Sequence, residues 1–197
     1  LTPHCFTIYQ LPYVMTVWDL NWRIHSYFPE FSYTRHQFDG LEYEMFTRLT
    51  KASFVITGTR EGGRQVTDFY GIPESKIRVL PFPTPQLDQV KQSPIDGLPD
   101  RYLFYPARFW PHKNHVCAIK ALAELREIGH SSLHLVFTGK DEGNLGYVFE
   151  HAQLLGVADH VKYFGEVSEP CMVDVYRRAT ALVNPSFVGP DNLPPLE

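Results

Sequence analysis

The sequence predicts an α/β protein with two parallel-sheet domains, and three observations support that prediction. Short apolar runs rich in β-branched and aromatic residues alternate with helical patterns, which is typical of parallel sheets. Residues 81–99 hold five prolines and show no apolar period, as a semi-rigid connector does. Beyond this stretch the alternation resumes with a clearer period. We therefore predict a domain at 1–83, a linker at 84–99 and a second domain at 100–197.

In the first domain the predicted order is β-α-β-α-β. The strands are expected at 13–17, 53–57 and 76–80, and the helices at 36–51 and from Thr59 to Gly71. Thr59 is suited to cap the second helix, and Gly71 is suited to end it. The first strand is expected to be buried. Residues 21–33 are rich in aromatic side chains but lack a period, so they are predicted to form a long loop.

The second domain is predicted to hold four strands and three helices in alternation. The strands are expected at 102–106, 133–137, 161–164 and 181–183, and the helices near 114–128, 145–155 and 172–179. Gly129 and Gly156 follow the last apolar residues of the first two helical patterns and are suited to end those helices. This alternation predicts half or more of a doubly wound sheet.

Composition excludes several classes of protein. The 197 residues are 44% hydrophobic, which is enough to bury a core, and the formal net charge is -4, so no overall attraction to nucleic acid is indicated. No apolar run is long enough for a membrane span, and no signal peptide is visible. Three widely separated cysteines argue against a disulfide framework and favour a reducing, cytosolic setting. Both ends read as cut, so we expect a piece of a longer protein.

The stretch Tyr102–Lys113 predicts an anion site. A strand there leads into a short loop with Arg108 and Lys113, and a helix follows. The carboxyl end of a parallel strand, where a helix begins, is a common place for phosphate binding. Arginine offers a planar fork of donors and lysine a mobile point charge. For such a pair taken alone, exposed loop cations without a ligand are the commoner outcome.

A second unusual stretch, residues 184–197, closes the chain. Gly189, Pro190, Asp191 and Asn192 predict a tight turn, and Glu197 stands where a helix is expected to start. A carboxylate in that place can accept hydrogen bonds from vicinal hydroxyls such as those of a ribose. It can also simply complement the helix dipole. We predict that the two stretches form two walls of one site.

Four motifs in order carry a family resemblance. They are Pro-Ala-Arg-Phe-Trp-Pro-His-Lys-Asn-His at 106–115, Leu-Val-Phe-Thr-Gly-Lys-Asp-Glu-Gly-Asn at 135–144, Val-Lys-Tyr-Phe-Gly-Glu-Val at 161–167 and Pro-Ser-Phe-Val-Gly-Pro-Asp-Asn-Leu-Pro-Pro-Leu-Glu at 185–197. Together they resemble the donor-binding domain of the retaining GT-B glycosyltransferases of family 4, also called glycosyl transferases group 1. The first half resembles the family less strongly, through Trp18-Asp19-Leu20, Phe28-Pro29-Glu30 and the segment 52–83.

The resemblance implies two Rossmann-like domains of the GT-B type, both incomplete in this chain. Residues 1–83 would belong to the acceptor domain and residues 100–197 to the domain that binds a nucleotide diphosphate sugar. Arg108 and Lys113 would bind the diphosphate and stabilise the leaving group, and Asp19 would belong to the catalytic set. Further donor contacts would come from the backbone around Val167 for the base, from Glu197 for the ribose, and from Pro190, Asp191, Asn192 and Leu193 for the phosphates or sugar.

Two residues depart from the family pattern. Gly189 stands where the first glutamate of a paired-glutamate motif is usual, and Trp18 stands where relatives often carry a histidine. Asp19 is retained. His25, His112 and His115 are expected to be loop or surface histidines rather than metal ligands, because no carboxylate or cysteine shares their spacing. With no Asp-x-Asp motif either, the resemblance implies an enzyme that needs no metal and no other cofactor.

The function implied is transfer of a hexose, with retention, from a nucleotide diphosphate sugar to an acceptor hydroxyl in polysaccharide or glycolipid biosynthesis. A carbohydrate or lipid-linked acceptor is the expected partner, in the cytoplasm or peripherally at the inner membrane surface. Two alternatives remain open: a non-catalytic scaffold of the same fold, suggested by Gly189 and Trp18, and a sugar-nucleotide epimerase. The fragment alone is expected to be inactive, with exposed apolar surface and low stability.

Overall fold

The computed structural model describes residues 11–84, 90–189 and 194–196, and the chain divides into two compact units. The first unit extends to Pro83 and also takes in Gly189, and the second extends from Thr84 to Val188 and takes in residues 194–196. Each unit contains its own parallel sheet. This confirms the α/β fold class with two parallel sheets that the sequence predicts.

The first unit has three parallel strands in the order β1-β2-β3. The strands are β1 (Val14–Val17), β2 (Phe54–Thr57) and β3 (Ile77–Val79), and the helices are α1 (Asn21–Ile24), α2 (Arg35–Lys51) and α3 (Arg60–Tyr70). Thr34 and Gln37 cap α2 reciprocally, and the Thr59 hydroxyl accepts a hydrogen bond from the Gly62 N–H at 3.0 Å to cap α3. Gly71, at φ 66°, ends α3 as predicted.

Two predictions for the first unit are wrong. Residues 21–33 contain α1 and a 3-10 turn at Pro29–Phe31 rather than a continuous loop. Contacts distant in sequence hold α1: the indole N–H of Trp22 donates to Glu42 of α2 at 2.9 Å, and Arg23 pairs with the same carboxylate. Strand β1 lies at the edge of the described sheet, and Val17 is its one buried residue.

The second unit has four parallel strands in the order β6-β5-β4-β7. The strands are β4 (Tyr102–Pro106), β5 (His134–Thr138), β6 (Val161–Tyr163) and β7 (Ala181–Leu182), and the helices are α4 (His115–Glu127), α5 (Leu145–Leu154) and α6 (Glu169–Arg178). Because β5 and β6 follow β4 on one side and β7 lies on the other, the winding direction reverses between β4 and β7. Such a reversal is where open α/β sheets commonly bind ligands.

Both faces of this second sheet are covered. One face packs against α4 and α5 through a buried cluster that includes Tyr105, Phe137 and Ile119. The other face packs against α6 through Phe104, Val136 and Val175. Asp174 of α6, which is 2% exposed, accepts hydrogen bonds from the Gln92 amide and the Ile95 N–H. These bonds fasten the segment that precedes β4 to α6.

No helix among the described residues is long and apolar enough to cross a membrane.

Gly139 closes the carboxyl edge of the second sheet. Its N–H donates to the Gly165 carbonyl at 2.7 Å, and the Tyr163 hydroxyl donates to the Gly139 carbonyl at 2.8 Å. Its φ is 126°, and a Cβ there would lie 2.4 Å from the Ala107 carbonyl oxygen. Only glycine allows the loops after β4, β5 and β6 to approach this closely.

We expect Gly139→Ala to lower the free energy of unfolding by about 2 kcal/mol or more, because the methyl group meets backbone and the φ is strained. Gly146→Ala is the control: it lies in α5 with nothing within 4 Å of the added methyl, so about 0.5 to 1 kcal/mol of stabilisation is expected. Chemical denaturation measures both. Equal stabilities for Gly139→Ala and the unchanged protein would contradict this account.

Candidate functional site

The loop after β4 contains both predicted cations, Arg108 and Lys113, and a side chain of the core holds its backbone. Pro111–Lys113 form a 3-10 turn, and Asn114 takes the left-handed conformation at φ 55° before α4 begins. The Tyr105 hydroxyl donates to the Lys113 carbonyl at 2.7 Å. The backbone that presents Lys113 is therefore anchored to the side chain of a core strand residue.

The same turn is bonded to the segment after β7. The Asn114 side-chain amide donates to the Pro185 carbonyl at 3.1 Å, and the Phe187 N–H donates to the His112 carbonyl at 2.9 Å. The Ser186 hydroxyl donates to the Val188 carbonyl at 2.7 Å, which makes the second segment compact. The first stretch thus contacts the start of the second, residues 185–187, at the reversal between β4 and β7.

The side chains of Arg108 and Lys140 both lie beside the carboxylate of Glu142. Its Nη1 donates to Glu142 Oε1 at 3.1 Å, and Lys140 Nζ lies 3.6 Å from the same oxygen. The Arg108 and Lys140 side chains are 60% and 53% exposed, whereas that of Glu142 is 13% exposed. The Phe109 N–H donates to the Lys140 carbonyl at 2.9 Å, so the loops after β4 and β5 are joined by backbone.

Neither Lys140 nor Glu142 was among the residues selected from the sequence. The signal available was position, because Lys140, Asp141 and Glu142 directly follow the Gly139 that ends a predicted strand. Asp141 has a structural role in this segment: its Oδ1 accepts from the N–H of Gly143 at 2.8 Å and from that of Leu145 at 3.2 Å, at the start of α5.

His112 is buried but lies in the loop after β4, whereas His115 is a buried residue of α4, so the prediction of a loop or surface histidine is wrong for His115. His115 is fully buried and stacks on Phe109, with ring centroids 4.0 Å apart and an interplanar angle of 15°. Tyr105 and Phe137 flank the same ring. Phe109 belongs to the cation-bearing loop, so this loop covers one face of the buried imidazole. His25 lies in the loop after α1, as predicted.

Burial lowers the pKa of His115 to about 4, and the charges of Lys113 and His112 act in the same direction. The nearby Ala107 carbonyl favours the protonated ring, but among the described residues neither ring nitrogen makes a hydrogen bond of ordinary geometry. The imidazole is therefore neutral at physiological pH. No group of three or more histidine, cysteine, aspartate or glutamate side chains in the described part of the chain is arranged to hold a metal ion.

Asp19 lies at the carboxyl end of β1 in the first unit. Its Oδ1 accepts a hydrogen bond from the Asn21 N–H at 3.0 Å, which fixes the entry to α1. Asp19, Trp18, Trp22 and Tyr33 help to line a pocket of about 280 Å³, together with Glu30, Glu44 and Arg48. Trp18 is 45% exposed. Its ring meets that of Phe82 edge to face, with the ring centroids 6.4 Å apart.

The remaining predicted site residues are only partly described. Val167 is half-buried between β6 and α6, and Gly189 has a φ of 147°. Pro190, Asp191, Asn192, Leu193 and Glu197 lie outside the described residues. Their roles stay predictions.

Two parallel-sheet units, the second with cations at its winding reversal, match the GT-B fold. A family model described as "Glycosyl transferases group 1" matches residues 88–197, more than half of the chain. The chain belongs to this family.

Several known proteins are similar to this chain in sequence or in fold. D-inositol 3-phosphate glycosyltransferase of Acidothermus cellulolyticus is 28% identical over 155 residues, which are 70% of this chain and 34% of the relative. Anabaena HepE, solved with UDP and glucose, matches 89% of this chain and 46% of its own at 15% identity with a TM-score of 0.68. Sucrose-phosphate synthase of Thermosynechococcus elongatus matches 91% and 46% at 16% identity with a TM-score of 0.70. The chain spans about a third of the curated relative and under half of each solved structure.

The buried His115 predicts a pH-dependent stability. Its folded-state pKa of about 4 lies below the unfolded value of about 6.5, so the unfolded state takes up the proton first as the pH falls. We expect the free energy of unfolding to fall by on the order of 2 kcal/mol between pH 7 and pH 4.5 through this group.

His115→Phe should remove that part of the pH dependence, because phenylalanine can stack on Phe109 without titrating. His36→Gln on the exposed surface of α2 controls for the loss of a histidine. Denaturation curves at several pH values measure the difference. Parallel pH profiles for His115→Phe and the unchanged protein would rule out this role.

Proposed function

We propose that the protein is a retaining glycosyltransferase that moves a hexose from a nucleotide diphosphate sugar to an acceptor hydroxyl in polysaccharide or glycolipid biosynthesis. It would act in the cytoplasm or peripherally at the inner membrane surface. The observation that carries the proposal is the bonded pair of segments at the winding reversal of the second sheet. There the Lys113 turn is held by Tyr105 from the core and bonded to residues 185–187 after β7.

Arg108 and Lys113 are proposed to bind the diphosphate. Transfer breaks the bond between the anomeric carbon and a phosphate oxygen, and negative charge develops on the departing nucleoside diphosphate. Fixed cations near that oxygen stabilise the transition state without reorganisation. The exposed guanidinium of Arg108 can approach phosphate oxygens with two parallel donors. The HepE structure, which contains UDP and glucose, supports a donor of this chemical class.

The donor's other parts are assigned to the segments that follow β6 and β7. The backbone around Val167 is proposed to meet the nucleobase, and Glu197 the ribose hydroxyls. Gly189 and the residues Pro190, Asp191, Asn192 and Leu193 would approach the phosphates or the sugar. All of these lie within the matched family segment. We propose that no metal or other cofactor takes part, because the two cations can offset the charge of the diphosphate.

The acceptor is proposed to bind the first unit. Its pocket combines indole and phenol rings with carboxylates, and carboxylate oxygens accept hydrogen bonds from hydroxyl groups. Asp19 lines this pocket at a strand end, which fits a catalytic role toward an acceptor hydroxyl. The attacking oxygen would form the new glycosidic bond as the bond from the anomeric carbon to the phosphate oxygen breaks, and the Asp19 carboxylate would accept the hydroxyl proton.

Two other functions of the same fold are distinguishable. Gly189 and Trp18, which depart from the family pattern, favour a non-catalytic scaffold as the second candidate. Detection of sugar transfer or donor hydrolysis by the full-length protein excludes it. A sugar-nucleotide epimerase would convert its substrate without an acceptor, so product analysis in the absence of acceptor separates it from a transferase.

The donor site can be tested by thermal shift on the full-length protein. Saturating UDP, GDP or ADP should raise the melting temperature for the matching base, since a ligand at about 100 times its Kd adds about 2.7 kcal/mol of stability. Lys113→Ala should abolish the shift because it removes a cation from the diphosphate. Lys120→Ala, an exposed lysine on α4, should leave it unchanged. Equal shifts for the two variants would refute the donor role of Lys113.

The acceptor side is tested by Asp19→Asn. This change keeps the size of the side chain and its ability to accept from the Asn21 N–H, so the fold should persist. We expect the transfer rate to fall by about 10²-fold or more, as is typical for a catalytic acid or base, while the nucleotide-induced thermal shift is unchanged. Asp39→Asn, exposed on α2, is the control. Full transfer activity in Asp19→Asn would remove Asp19 from the catalytic set.

A further inference from the structure

Glu142 lies between two cations at the carboxyl edge of the second sheet. One of its oxygens accepts from Arg108 Nη1 at 3.1 Å and lies 3.6 Å from Lys140 Nζ. Its side chain is only 13% exposed, although both of its partners are more than half exposed. The mechanism proposed above assigns it no role.

We infer that Glu142 is a positioning residue that holds the Arg108 guanidinium in place for a nucleoside diphosphate. The inference rests on the proposed function and deepens it. Glu142 would act through Arg108 and would not itself touch the donor.

An exposed arginine samples many rotamers, and binding a phosphate would restrict them at an entropic cost. The Glu142 carboxylate already binds Nη1 of Arg108, so the side chain is partly ordered before the ligand binds and loses less entropy on binding. In the described part of the chain, one of the five N–H donors of Arg108 bonds to Glu142. Arg108 can therefore keep its bond to Glu142 and still present two donors to a phosphate.

Hydrogen bonds on both sides of Glu142 hold the backbone that carries its side chain. On its amino-terminal side, the Lys140 carbonyl accepts from the Phe109 N–H at 2.9 Å, which ties the segment to the loop that carries Arg108. On its carboxyl-terminal side, Asp141 caps the start of α5 through the N–H groups of Gly143 and Leu145. The short, largely buried side chain of Glu142 is therefore suited to orient the longer and more exposed side chain of Arg108.

A carboxylate near an anion site could instead repel the ligand or compete with it for Arg108. Lys140 argues against that outcome, because its ammonium group lies beside the same oxygen. The loops after β4 and β5 carry three cationic side chains, Arg108, Lys113 and Lys140, and two carboxylates, Asp141 and Glu142, so their formal charge is still positive and favours a phosphate. The positioning role therefore does not require Glu142 to be displaced.

The test uses the full-length protein and isothermal titration with UDP, GDP and ADP, of which the tightest ligand serves as the probe. Glu142→Ala should raise the Kd about fivefold to tenfold, as expected for groups in direct contact. Glu142→Gln keeps an acceptor oxygen at the same reach and should restore most of the affinity. Glu150→Ala, an exposed glutamate on α5, should match the unchanged protein.

A double-mutant cycle separates positioning from a merely structural effect. In the Arg108→Ala background, Glu142→Ala should cause no further loss, because the group that it holds is gone. Tighter or unchanged binding by Glu142→Ala, or an equal loss in both backgrounds, would overturn the inference alone. If the unmodified protein binds none of the three nucleotides, the proposed function fails and this inference fails with it.

Discussion

The close backbone contact at Gly139 is the constraint on which the carboxyl edge of the second sheet depends. The loops after β4, β5 and β6 are joined there by main-chain bonds, including Ala107 N–H to the Thr138 carbonyl and Gly139 N–H to the Gly165 carbonyl. A side chain at Gly139 would collide with the Ala107 carbonyl. Exposed ion pairs contribute little energy by themselves. Backbone geometry therefore places Arg108 opposite Glu142, and the ion pair then orients the Arg108 guanidinium.

Beneath that edge lies an aromatic layer that explains the local electrostatics. Phe109, from the cation-bearing loop, stacks on His115 of α4, and Tyr105 of β4 flanks the pair. Burying imidazole nitrogens without hydrogen bonds has an energetic cost, which tight packing of the rings offsets. Because burial keeps His115 neutral, the positive potential of the loop comes from its arginine and lysine side chains and not from this imidazole.

The sequence was most informative where a residue's neighbours in the chain decide its structure. Thr59 and Gly71 predicted both ends of α3, and strand β4 was predicted at its observed bounds, because capping, backbone φ and apolar period are local properties. It was least informative where contacts with residues far away in the sequence determine the structure. Helix α1 depends on Glu42 of α2, and the burial of His115 depends on Phe109 folding back over it. The Glu142 contact with Arg108 spans 34 positions and has no local pattern.

Topology and charge together explain how an acidic chain can have a local site of the kind proposed here for an anion. With a net charge of -4, the chain as a whole repels anions, but charges more than about 10 Å apart are largely screened at physiological salt. The proposed donor would meet the edge between β4 and β7, where the winding of the described strands reverses. The Asn114 amide ties the two strand-end segments together at that edge. The same parallel order that buries the core thus also brings the loop after β4, with its two cations, to this edge.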